Sequence, residues 1–120
     1  MTIYEAVGGE ATFVRLVDVF YAGVETDPIL RPMYPADLGP SRRHLALFLM
    51  QYFGGPRTYL KERGHPRLRA RHLPFPIDQA ARDAWMHHMT VAVRSLDLPP
   101  AAQEEFLRYF DGAATFLMNR

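Results

Sequence analysis

Helix-breaking residues cut this chain into pieces, and inside the pieces apolar side chains recur at steps of three and four. The breaks fall at Gly8-Gly9, Asp27-Pro28, Gly54-Gly55-Pro56 and Pro99-Pro100. Glycine lacks the side chain that favours helix, and proline lacks the N–H that continues one. A short first helix is expected over about Thr2 to Val7. A second is expected over about Glu10 to Thr26, where Phe13, Leu16, Val17, Phe20, Tyr21 and Val24 share one face. Pro32 and Pro35 restrict the following stretch to single turns around Tyr34. A third long segment begins near Ser41, an expected N-cap, and carries Leu45, Phe48, Leu49 and Tyr52. Asp78 caps a helix with Ala81, Trp85, His88, Met89, Ala92 and Leu96 on its inner face, and the last helix shows Phe106, Phe110, Ala113, Ala114 and Leu117. No segment alternates with period two over a useful length, so the expectation is an all-α fold in a single domain, residues 1–120.

From Pro56 to Pro76 the pattern is poor, with at most a short helix over about Leu68 to Arg71. A segment of that length without regular structure is uncommon in a compact domain and is usually functional. A bound cofactor around which the loop wraps would give it a reason. Composition narrows the class further. The chain is 48% hydrophobic, which suits a globular core, and no run reaches the length of a membrane span. Absence of cysteine removes disulfides, thiolate nucleophiles and thiolate metal sites, and suits a reducing cytoplasm. The N-terminal residues do not read as a signal peptide, so the expected location is cytoplasmic. Arg57, Lys61, Arg63, Arg67, Arg69 and Arg71 face one acid, Glu62, in the irregular segment, which raises a basic helical nucleic-acid module as a remote alternative. A net charge of only +1 speaks against it, so no nucleic-acid partner is expected.

Five histidines are candidate metal ligands: His44, His65, His72, His87 and His88. His87 and His88 are about 100° apart on a helix and cannot chelate one ion from one face. His44 lies beside an apolar stripe and His65 precedes a proline. His72 follows the short basic helix and is followed by Leu73-Pro74-Phe75-Pro76, a stiff apolar run suited to pack on a flat ligand. Tyr21, Tyr34 and Trp85 each combine an apolar body with one hydrogen-bond donor, and three such donors in a core otherwise made of Leu, Phe, Val and Met suggest a polar pocket.

These segments together resemble the truncated haemoglobins, the two-on-two globins, and within them group II. The resemblance runs from about Ile3 to Leu117. It is carried by YEAVGG at 4–9, VFYAGV at 19–24, MYP at 33–35, QYFGGPRTY at 51–59, RGHPRLRARHLPF at 63–75 and RDAWMHHM at 82–89. Phe53 departs from it, standing where related sequences often have Trp.

The resemblance implies a two-on-two helical sandwich around haem b, iron protoporphyrin IX, with His72 as the proximal iron ligand. Tyr21, Tyr34 and Trp85 match the distal polar residues, and Ser41, with Leu45 a turn further on, falls where many globins have a distal histidine. Phe48 and Phe75 are the implied ring-packing residues. Arg71 is the first candidate for a propionate contact, ahead of Arg57, Tyr59 and His65. The implied function is tight binding of oxygen, and of nitric oxide or carbon monoxide, at a pentacoordinate or weakly occupied iron, in a family linked to oxygen transport. The alternative is an enzyme at the same site, a peroxidase or nitric-oxide dioxygenase. Peroxide would then be a substrate, and an external reductase would be needed because no flavin or nicotinamide fingerprint is present. A monomer or a homodimer is expected, with no membrane partner.

Overall fold

The computed structural model describes residues 1–120 and contains helices and turns only. Thr2 opens α1 (Ile3–Ala6), its Oγ1 accepting the Glu5 N–H at 3.2 Å. Gly9, at φ 70°, then reverses the chain in a conformation that side chains rarely adopt, and α2 (Glu10–Glu25) starts directly after it. One turn of 3-10 helix, Arg31–Met33, leads to α3 (Gly39–Tyr52). Two short helices follow, α4 (Thr58–Arg63) and α5 (Leu68–His72), and then α6 (Gln79–Ser95) and α7 (Pro100–Phe116).

The apolar stripes meet where their spacing requires. Phe13, Leu16, Val17, Phe20 and Val24 of α2, Leu49 of α3, Met89, Ala92 and Val93 of α6, and Phe106 and Phe110 of α7 form one buried core. Each large side chain removed from water there contributes about 1.5–3 kcal/mol before entropy is counted. Helix α2 lies against both α3 and α6, and α6 lies against α7. That gives two helix pairs packed on one another, the expected two-on-two arrangement. Asp78 caps α6 as expected, its Oδ1 accepting the Ala81 N–H at 2.9 Å. No helix is long and apolar enough to cross a membrane.

Two expectations need correction. Ser41 is not an N-cap: α3 begins two residues earlier, with Pro40 in its first turn and Asp37 Oδ1 accepting the Gly39 N–H at 2.9 Å. Proline is pre-set for the first helical turn, where no N–H is required, so the helix extends back through it. The stretch 56–76 holds two short helices rather than at most one, and His72 is the last residue of α5 rather than following it.

Candidate functional site

His72 is half-buried, and its ring is anchored from within its own helix. Nδ1 lies 2.5 Å from the Leu68 carbonyl oxygen, one turn back. A carbonyl only accepts, so Nδ1 carries a proton, and in the neutral ring that leaves Nε2 its lone pair, the tautomer in which an imidazole binds metal. Nε2 makes no hydrogen bond within the protein. The backbone after His72 is stapled by Asn119. Its Nδ2 donates to the carbonyls of His72 and Phe75 at 3.2 and 2.9 Å, and its Oδ1 accepts the Ile77 N–H at 2.9 Å. Sequence periodicity gave no sign of Asn119, because its partners lie more than forty positions away.

The other histidines are committed elsewhere or lie outside. His44 Nε2 accepts from Arg63 at 2.9 Å, and burial, with Arg63 and Arg43 nearby, keeps its ring below the usual imidazole range. His65 Nδ1 accepts the Arg67 N–H at 3.0 Å, and His87 is exposed. His88 Nε2 is 2.6 Å from Asp27 Oδ2. No group of three or more His, Asp or Glu side chains converges as a metal-only site. Two surface clefts, of about 490 and 610 Å³, lie away from His72 and from Tyr21, Tyr34 and Trp85.

Tyr21, Tyr34 and Trp85 come together from α2, the proline corner and α6. The Tyr21 and Tyr34 rings meet edge to face at 5.6 Å, and Phe20 touches both Tyr21 and Trp85, at 5.1 and 5.3 Å. Ser41 is beside the Tyr21 hydroxyl and Trp85 beside that of Tyr34. Burial, then the neighbouring Tyr34, pushes the Tyr21 phenol far above its ordinary range; burial raises that of Tyr34 to about 12, against the pull of Trp85. Both hydroxyls therefore stay protonated, as donors. The corner bearing Tyr34 is clamped by Arg31, whose guanidinium donates to the carbonyls of Tyr34, Pro35 and Ala36 at 3.0–3.3 Å. That clamp was not read from the sequence, where an arginine beside a proline carries no distinguishing pattern.

Leu45 and Phe48 are half-buried on α3, and Tyr59, buried, sets its ring against Phe48 at 5.7 Å. Leu73 and Phe75 leave 57% and 40% of their surface exposed beside His72, where a folded core would normally cover them. Arg71 donates through Nε to the Pro66 carbonyl at 2.8 Å and through Nη2 to that of Arg63 at 3.5 Å, which braces α5. Arg57 is exposed. Helix α5 does not pack closely along any other helix.

An imidazole with a free Nε2, uncovered apolar side chains next to it, a loosely packed supporting helix and a cluster of protonated aromatic donors fit a flat, apolar, iron-bearing ring. Comparison with known proteins agrees. A model of the bacterial-like globin family matches residues 2–119. A group 2 truncated hemoglobin of Bacillus subtilis is 42% identical over 117 residues, covering 98% of this chain and 88% of the relative. Among solved structures, a hemoglobin from Chloroflexus aurantiacus superposes with a TM-score of 0.98 at 58% identity, covering 100% of this chain and 99% of the other. A truncated oxygen-avid haemoglobin from Bacillus subtilis gives a TM-score of 0.94 at 41% identity, covering 99% of this chain and 100% of the other.

Proposed function

The chain belongs to the bacterial-like globin family, as a group II truncated haemoglobin with a haem cofactor, and from that premise we propose that it binds oxygen avidly on haem b held by His72. The observation that carries the reading is the Nδ1 anchor to Leu68 beside the uncovered Leu73 and Phe75. A haem supplies an iron that takes up small gaseous ligands and shares electron density with them. The residues of this chain set the rest. His72, oriented by Leu68, would hold the iron, and no second histidine stands within the polar aromatic cluster to compete with a gaseous ligand.

Tyr21 and Tyr34 would donate hydrogen bonds to a negatively polarised ligand, and Trp85 would do so by turning its single N–H away from the Tyr34 hydroxyl. A hydrogen bond to a charged group contributes about 1.5–3 kcal/mol. Two of them slow release by about a hundredfold or more, since ~1.4 kcal/mol is tenfold. That favours retention over easy unloading, which is the property named for the oxygen-avid relative. Arg71 braces α5 through its bonds to Pro66 and Arg63, and contact with a propionate would require it to give these up.

Stopped-flow measurement of oxygen release tests this. Tyr21→Phe and Trp85→Leu should each speed release by about tenfold to a hundredfold. Release unchanged in both would remove the distal donors from the account. A second reading, reduction of peroxide with electrons from outside, is favoured by one observation. Aromatic rings extend in contact from Trp85 through Phe110 and Tyr109 to the exposed Tyr52.

A further inference from the structure

Trp85 is not only a member of the polar cluster. Its indole meets the Phe110 ring edge-on at 5.8 Å, Phe110 meets Tyr109 at 5.5 Å, and Tyr109 lies over Tyr52 with ring centroids 4.0 Å apart. Tyr52 is 54% exposed, and the two tyrosines line the 490 Å³ cleft together with Arg108 and Thr2. We propose that this row of rings is an electron path, with Tyr52 its outer terminus, and that small phenolic reductants deliver electrons to the protein there. The inference rests on the haem being held at His72 with Trp85 on its ligand side.

Tunnelling decays exponentially with distance, so rings in van der Waals contact carry an electron better than the same span of aliphatic packing. Packing alone would be served by phenylalanine at every position, as at Phe110 and Phe106. The hydroxyls appear on the two outer rings, where they lower the cost of oxidation. Between them the structure distinguishes roles. A phenol gives up its proton when it is oxidised. Burial holds the Tyr109 phenol well above its ordinary range, whereas the Tyr52 ring opens onto solvent. The outer ring is therefore where the oxidising equivalent rests.

Hydrogen peroxide is the oxidant. Its O–O bond breaks, and two electrons with two protons turn it into two waters. Each electron comes inward through Tyr52, Tyr109, Phe110 and Trp85, and each is replaced by a phenol at the cleft, which loses one electron and one proton to become a phenoxyl radical. One peroxide and two phenols thus give two waters and two phenoxyl radicals.

The test is peroxide treatment of the ferric holoprotein with a nitroso spin trap, followed by peptide mass spectrometry to locate the adduct. The expected adduct is on Tyr52. In Tyr109→Phe it should fall about tenfold, the effect of ~1.4 kcal/mol on a rate, while the Soret band and oxygen spectrum stay as in the unmodified protein. Trp85→Phe should lower it as well, and Tyr52→Phe should slow oxidation of guaiacol. A Tyr52 adduct undiminished in both Tyr109→Phe and Trp85→Phe, or adducts confined to Tyr21 and Tyr34, would overturn the path. A normal Soret band without any Tyr52 adduct would overturn this inference alone; a protein that takes up no haem would overturn the reading of His72 with it.

Discussion

Gly23→Ala should destabilise this protein although it places the best helix former in the middle of a helix. Gly23 lies within α2, where alanine gains about 1 kcal/mol over glycine. A Cβ there would sit 2.3 Å from His88 Nδ1, 2.8 Å from Cγ and 3.0 Å from Cε1, so the imidazole must move. It is not free to do so. Its Nε2 is 2.6 Å from Asp27 Oδ2, while Asp27 Oδ1 accepts the N–H groups of Ile29 and Leu30 at 2.8 and 3.0 Å. The pair is largely shielded, at 18% and 12% side-chain exposure, so solvent screens it weakly. Losing a hydrogen bond to a charged partner costs about 1.5–3 kcal/mol, which exceeds the propensity gain and leaves a net loss of about 0.5–2 kcal/mol. In the His88→Ala background the obstacle is gone, and Gly23→Ala should instead stabilise by about 1 kcal/mol. Urea unfolding of the ferric holoproteins, followed by circular dichroism, measures the four corners of this cycle. Stabilisation by Gly23→Ala in both backgrounds would refute the argument.

Other consequences follow from the same contacts. The hydrogen bond from His88, then those from Leu30 and Ile29, hold the Asp27 carboxyl below its ordinary range against a desolvation that raises it. A lowered folded value means a contribution that is present above the unfolded value, about pH 4, and lost as pH falls through the folded one. Asp27→Asn should therefore flatten the acid limb of a stability profile below about pH 4 and leave its alkaline limb alone, as acid titration by circular dichroism would show. Asn119→Ala removes three bonds that staple the backbone after His72, and haem transfer to apomyoglobin should speed by about tenfold or more, at a cost of about 1 kcal/mol per bond. Because Tyr34 titrates only at about 12 and Tyr21 higher still, oxygen release should be independent of pH from neutrality to about pH 10. Release that accelerates within that range would show a distal donor losing its proton.

The long helices were legible because each carries its own apolar stripe and its own stop signal. Asp78, for example, caps α6 within a local window of three residues. Helix α4 was not legible, because what holds it is distant in sequence. Gln51 accepts the Leu60 N–H at 2.9 Å, and the Arg43 guanidinium grips both oxygens of Glu62 at 2.6 and 2.8 Å. A six-residue helix has little intrinsic stability, so such partners decide whether it forms. In the site, Tyr21, Tyr34 and Trp85 were readable as donors on inner faces. Their mutual contacts depend on how α2 meets α6. Asn119 and the Asp27–His88 pair stayed hidden for the same reason: a hydrogen bond across about forty to sixty positions leaves no periodic trace.

His72 remains the residue on which the account turns, and the iron–histidine stretch of the deoxygenated ferrous protein tests it most directly. Resonance Raman spectroscopy should show that band in the unmodified protein and lose it in His72→Gly. Added imidazole should restore a band in the variant, because it fills the space left by the side chain. An iron–histidine band that persists unchanged in His72→Gly without imidazole would contradict the assignment.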